Sequence, residues 1–264
     1  MQLERRCLCL ASLALFAFSM AGRTYAGPPF VTDDPEPVEL HHWEFYLATQ
    51  QYHDSDGWSG TAPHLEVNYG AMLDTQLHLI APLAYDKPAD GTSHYGYGDM
   101  ELGVKYRFVH TGEEGSEFQL GIFPLVELPT GNSDKGLGNG KSQVFVPLWL
   151  QKDFGKWTTY GGGGYWFNPG EGNRDYWFAG WEVQRKLTDS LTAGIEGQFR
   201  TADTVNAHHS FALNAGGIWD LSEKYHVLFS AGHTVRGRSE FQGYLGLQLT
   251  FGSDDEKTAS KSKK

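Results

Sequence analysis

Side-chain character alternates with a period of two along most of this chain. The run 241–251 sets Phe241, Gly243, Leu245, Leu247, Leu249 and Phe251 against Gln242, Tyr244, Gly246, Gln248 and Thr250. Successive side chains of a strand point to opposite faces, so one face of this element is apolar and the other polar. Met100, Leu102, Val104, Tyr106 and Phe108 stand in the same way against Glu101, Gly103, Lys105 and Arg107. Leu191, Ala193, Ile195, Gly197 and Phe199 likewise alternate with Thr192, Gly194, Glu196, Gln198 and Arg200. The pattern predicts strands over 41–53, 63–70, 75–85, 98–109, 117–127, 142–153, 157–167, 175–186, 191–200, 209–219, 224–234 and 239–251, and no helix between them.

The connections alternate too. Those at 154–156, 187–190 and 220–223 are tight, whereas 54–62, 86–97, 128–141, 168–174 and 201–208 are longer and rich in Gly, Asp and Asn. About twelve amphipathic strands with alternating short and long connections describe an all-β fold: a transmembrane antiparallel β-barrel, wound as an up-and-down meander. Aromatic residues fall where strands would cross the two membrane interfaces, with Tyr85, Phe167, Trp177 and Phe241 at the long-loop rim and Trp157, Trp219, Tyr225 and Phe251 at the other. A secreted β-sandwich or propeller is the competing architecture.

Two stretches depart from the pattern. Over 142–153 both faces are bulky, Val144, Val146 and Leu148 against Phe145, Pro147 and Trp149, and Pro147 suggests a bulge. Gly161–Gly164 removes four successive side chains. Tight packing beside aromatic neighbours explains this tract more simply than extra lumen space does.

Residues 1–26 carry Arg5 and Arg6, an apolar run from Cys7 to Met20 and small residues before a cut after Ala26, the plan of a secretory signal peptide. The apolar run is shorter than the roughly 20 residues a spanning helix needs. Cys7 and Cys9 both lie in this leader, outside any lipobox, so the mature chain has no cysteine and no disulfide. The expected division is a leader at 1–26, a periplasmic segment at 27–40, the outer-membrane barrel at 41–251 and a disordered polar tail at 252–264. The whole chain, 264 residues, holds 21 Lys and Arg against 32 Asp and Glu, a net charge of −11, and the leader takes more bases than acids with it. Such a balance argues against nucleic acid as a partner. The low mean hydropathy does not argue against a membrane, because barrel strands are only half apolar.

Gly27-Pro28-Pro29-Phe30-Val31-Thr32-Asp33-Asp34-Pro35-Glu36-Pro37-Val38, followed by Trp43-Glu44-Phe45, is similar to the opening of a family of outer-membrane transporters labelled MetA-pathway of phenol degradation. The resemblance continues through Gly98-Asp99, the run Glu101-Leu102-Gly103-Val104-Lys105-Tyr106-Arg107, and Phe123-Pro124-Leu125-Val126-Glu127-Leu128-Pro129-Thr130-Gly131. It implies a transporter-like barrel, and it is the source of the expectation that aromatic or hydrophobic molecules are carried. The chain departs from other outer-membrane barrels in running on past Phe251, although Tyr244, Gly246, Leu249 and Phe251 keep the spacing of the terminal signal read by the barrel-assembly machinery.

With the apolar faces turned to lipid, the inward set includes Glu44, His64, Glu66, His78, Glu101, Lys105, Arg107, Gln119, Glu127, Glu182, Glu196, Gln198 and Arg200. Charged groups in a narrow lumen need partners or water. One reading is a cross-strand network with Lys105, Arg107 and Arg200 that fills the interior; the other is a polar passage whose acidic excess disfavours anions. The segment at 27–38 is too rich in proline for a strand, and Thr32-Asp33-Asp34-Pro35 forms a turn. It either leads into the first strand or folds into the periplasmic mouth as a gate.

No catalytic or metal site is expected. His208-His209-Ser210 matches the His-x-Ser pair of outer membrane phospholipase A, also a twelve-stranded barrel, but lacks its surrounding motif and a third orienting group. The adjacent pairs His41-His42 and His208-His209 point to opposite faces of a strand and cannot chelate together. The sequence reading is a passive channel for small molecules in the outer membrane, with both termini periplasmic, needing no cofactor. Its partners are lipid, the assembly machinery and a solute whose identity stays open. The rival reading is a structural or surface-interaction barrel with a packed lumen.

Overall fold

The computed structural model describes residues 29–113 and 115–252. The leader expected at 1–26 and the tail beyond Gly252 lie outside them. The strands are β1 His42–Asp54, β2 Gly57–Met72, β3 Thr75–Pro88, β4 His94–Tyr97, β5 Met100–Thr111, β6 Phe118–Ile122, β7 Leu125–Leu128 and β8 Gln143–Phe154. They continue with β9 Trp157–Phe167, β10 Tyr176–Lys186, β11 Leu191–Arg200, β12 Ser210–Asp220, β13 Tyr225–Arg236 and β14 Phe241–Gly252. β6 and β7 are two pieces of one wall strand, and β4 is a short addition to the loop end of β3. Twelve wall strands therefore form a single up-and-down antiparallel meander.

The ring closes where β1 pairs with β14 in unbroken antiparallel register, from His42↔Gly252 to His53↔Phe241. Closure leaves no edge, so every wall strand finds its hydrogen-bond partners within the protein, the condition for crossing hydrocarbon. The side chains are arranged inside out relative to a water-soluble protein. Leu47 and Leu247, directly paired, are 55% and 41% exposed, while the neighbouring Gln248 is 1% exposed. Such an apolar exterior over a polar interior suits lipid outside, and a β-sandwich would reverse it.

Aromatic girdles occupy both rims. Phe167 and Trp177 are exposed at the long-loop end, and Trp157, Trp219, Tyr225 and Phe251 at the short-turn end. Tyr85 is the exception: it turns inward, and its hydroxyl donates to Gln51. Two further expectations are corrected. The first connection is the two-residue turn Ser55-Asp56 and not a long loop, because the Gly- and Ser-bearing start of β2 pairs with β1 from Asp54↔Gly57 to Gln50↔Thr61. His53 and Trp58 close that hairpin with rings 4.4 Å apart.

No bulge occurs at Pro147, since the β8–β9 ladder runs through Val146↔Tyr165, Pro147↔Gly164 and Leu148↔Gly163 without a shift. The interruption falls on the next strand instead, at Phe123-Pro124 between β6 and β7. The ambiguous facing of this stretch is also settled. Phe145, Pro147 and Trp149 are buried, whereas Val146 and Leu148 are exposed. The glycine tract of β9 makes room for these rings. A Cβ on Gly164 would lie 2.5 Å from Pro147 Cα and 2.8 Å from the Phe145 ring, and one on Gly162 would lie 3.1 Å from the Trp149 ring.

Candidate functional site

The proline-rich segment leading into β1 has no strand to pair with along most of its length, and it enters the barrel. Thr32 and Asp34 are fully buried there. Two carboxylates cap its turn locally, Asp33 accepting from the Asp34 N–H at 2.7 Å and Asp34 from the Glu36 N–H at 2.5 Å. The remaining contacts are to side chains of the wall. The Thr32 N–H donates to Glu196 of β11 at 2.5 Å, the Val38 N–H to Gln76 of β3 at 2.9 Å, and Ser230 of β13 donates to the Pro29 carbonyl at 2.6 Å. Lys105 of β5 grips the turn, its Nζ lying 2.9 Å from Asp33 and 3.6 Å from Asp34. Glu36 accepts from Gln119 at 3.4 Å and Gln151 at 3.3 Å. The segment is thus a plug held from several sides by polar contacts, in the half of the lumen nearer the short turns.

Burial governs Asp34 and Glu36 of the plug. It raises Asp34 well above the usual carboxylate range against the opposing pull of Lys105. It pushes Glu36 up to about 7, although Arg107, Gln151 and Gln119 favour its ionised form.

Beside the plug lies a cavity of about 830 Å³, whose lining runs from His42, Gln76 and Thr250 near the short turns to Tyr52 and Tyr85 near the long loops. Its far mouth is narrowed by loop 129–142, whose Gly131 and Asn139 N–H groups donate to Asp99 and which lays Gly136–Asn139 along the cavity. Glu44, Glu66, Glu101, Lys105 and Glu127 all line this space. On the β2, β3 and β5 side they belong to a connected polar wall. His78 lies between Asn68 (2.6 Å) and Glu101 (2.9 Å), Asn68 donates to Glu66 at 2.9 Å, and His64 sits 3.9 Å from Glu66.

The other predicted lumen residues sit elsewhere. Arg107 is at the edge of the plug, bound to Asp74 at 2.6 Å and to Gln119 at 2.8 Å. Glu182 and Glu196 oppose one another on β10 and β11, and Glu196 also accepts from Asn214. Arg200 stands at the long-loop end, half exposed, 3.3 Å from Asp203. Lys105 and Arg107 therefore both serve the plug, Arg107 through Gln119 to Glu36, while Arg200 stands apart at the rim.

Charge-based reading of the sequence overlooked the opposite wall. Phe145 stacks on Trp166 with centroids 4.7 Å apart, and Trp149 and Phe178 complete a buried cluster that also holds Phe123. The signal was present in 142–153, where bulky residues on the inward face stand opposite a glycine tract that can accommodate them.

The family profile described as "Putative MetA-pathway of phenol degradation" matches residues 45–251. The chain belongs to that family. No curated protein matches it. Among solved structures, this family member is similar to the COG4313 outer membrane channel from Pseudomonas putida F1, at 14% identity and a TM-score of 0.69, over 83% of this chain and 98% of that one. It is also similar to the NanC porin, at 8% identity and a TM-score of 0.56, over 78% and 98%. The KdgM porin matches at 11% identity and a TM-score of 0.55, over 78% and 99%. Identities this low bear on the fold alone, and the fold they share is the outer-membrane barrel.

Proposed function

We propose that this family member is a passive outer-membrane channel for small molecules, with both termini in the periplasm and the proline-rich segment acting as a plug that gates the lumen. The observation that carries this reading is the cavity of about 830 Å³ within the wall, beside a segment whose turn is held by polar contacts to several strands and which joins the sheet only at Leu40↔Gly70 among the described residues. The segment also buries Phe30, Pro35 and Val38, but the hydrogen bonds and ion pairs that hold its turn can be exchanged for water. The solved structures it resembles include proteins named as a channel and as porins, which agrees with that role.

The acid-rich lining, with Lys105 the one Lys or Arg among the described lining residues, supports passage of neutral or cationic solutes over anions. Aromatic or hydrophobic cargo is the part of the proposal that leans on family membership. The rival reading, a non-transporting barrel, draws on the complete burial of Thr32 and Asp34. Liposome swelling separates the two. Vesicles bearing the protein should swell in isosmotic neutral or cationic solutes well above protein-free vesicles, and a rate equal to the protein-free control would favour the sealed barrel.

Glu36 gives the gate a pH dependence. Docked, its carboxyl titrates at about 7, whereas released into water it returns to about 4.5, so the docked state holds its proton more tightly. Docking is therefore strongest below about 4.5, weakens as pH rises toward 7 and is weakest above it. Open-state occupancy in planar bilayers should rise between pH 5 and pH 8, and Glu36→Gln should flatten that rise.

A further inference from the structure

The cavity has two unlike walls, and together they describe one kind of molecule. On β8, β9 and β10 the lining is aromatic, with Phe145, Trp149, Trp166 and Phe178, while β7 contributes both Leu125 and Glu127. Trp166 is the most accessible of these rings, half-buried and stacked between Phe145 and Tyr176 at 4.7 and 5.9 Å. Roughly across the ring, β1, β2, β3 and β5 present Glu44, Glu66 and Glu101, with the histidines and Asn68 between them. The two walls meet at Phe123, whose ring is edge-on to His78 at 5.2 Å.

Three buried groups in the lining have no hydrogen-bond partner among the described residues, the Trp149 Nε1–H and the Tyr244 and Thr250 hydroxyls. Trp149 is 1% exposed, and Tyr244 and Thr250 are each 8% exposed. Unpaired polar groups in a concave, mostly apolar space are what a ligand with its own donors and acceptors would complete. Lys105 already shows how this wall receives an ammonium: its Nζ sits 5.0 Å above the centre of the Phe123 ring and 2.9 Å from Asp33. Cation–π attraction and a carboxylate act there on one charged nitrogen.

Resting on the channel reading above, we propose that the cavity is a selectivity site for small molecules that join a planar aromatic ring to a protonated amine. The ring meets the edge of Trp166, whose faces are covered by Phe145 and Tyr176, and the ammonium faces Glu66 and Glu101. An aromatic carboxylate finds the same ring surface but meets carboxylates where its charge must go. An aliphatic amine finds the charge but loses the ring contact. Discrimination therefore needs both walls together, and neither carries it alone.

The test uses the full mature chain in detergent micelles at pH 7, with equilibrium dialysis against 2-phenylethylamine, n-butylamine and 3-phenylpropionate, and matched current-block recordings in planar bilayers. 2-Phenylethylamine should bind and block at concentrations at least about tenfold lower than either analogue. Trp166→Leu should erase most of its advantage over n-butylamine, and Glu101→Gln most of its advantage over 3-phenylpropionate. Retained heat-modifiable mobility on gels shows that each variant is folded. Equal affinity for all three compounds, or tighter binding of the carboxylate, would overturn the proposal. Dialysis does not depend on current, so a barrel that binds the amine yet never conducts would sink the channel reading alone. A conducting barrel without the preference would sink only this inference.

Discussion

Lys105→Met should release the plug and give a channel whose current approaches that of a barrel lacking the segment. Lys105 is buried and answers two carboxylates at once, Asp33 at 2.9 Å and Asp34 at 3.6 Å. Removing one partner of a buried ion pair leaves the other charge unpaired and costs about 3 kcal/mol or more, roughly a hundredfold in the ratio of docked to released plug. Methionine keeps the length of the side chain and its contact with Phe123, so the loss is chiefly electrostatic. Since burial already favours the protonated form of Asp34, the effect should be smaller at pH 5 than at pH 8. Adding Asp33→Asn and Asp34→Asn should restore much of the docking by removing the orphaned charges. The readout is open-state occupancy in planar bilayers; wild-type occupancy in Lys105→Met at pH 8 would show that this pair does not hold the plug.

The second large effect separates the two faces of β14. Leu247 faces outward between Leu47 and Val227, and Gln248 faces inward, donating to the Tyr46 hydroxyl at 3.0 Å. Arginine on the lipid face of a barrel near mid-membrane costs about 2–4 kcal/mol, so Leu247→Arg should lower stability by that order in urea unfolding from lipid vesicles. Gln248→Leu removes one hydrogen bond and should cost about 1 kcal/mol. A benign Leu247→Arg would mean that the apolar face does not meet lipid, and the membrane reading would fall.

Most of the wall was legible because lipid on one side and polar lumen on the other impose strict alternation, as in 191–200, where predicted and observed strand coincide. The alternation was least informative where both faces are bulky. In β8 the inward residues are aromatic because Gly162 and Gly164 across the ladder leave space for them, and periodicity within one strand cannot report its neighbour. The start of β2 was missed for a related reason: Gly57, Ser59 and Gly60 have turn-like composition, yet their backbone is paired with β1.

The site was less legible than the wall. Glu44, Glu66, Glu101, Lys105 and Glu127 follow from facing alone, and all line the cavity. What grips the plug does not follow, because Thr32 and Glu196 are 164 positions apart and Asp33 and Lys105 are 72 apart. Contacts of that kind are set by barrel closure, which brings distant strands around one lumen; local pattern carries no trace of them. Arg200 illustrates the converse, since the same inward facing places it at the rim beside Asp203 and away from the plug.

Single-channel current through the chain from residue 27 onward with 27–36 deleted, compared with the same chain undeleted in the same bilayer, tests the central claim most directly. A polar lumen stoppered by a removable segment should give stepwise openings of several-fold larger conductance after the deletion, with reversal potentials favouring cations. Conductance and gating that match the intact chain, in a variant shown to be folded and inserted, would contradict it.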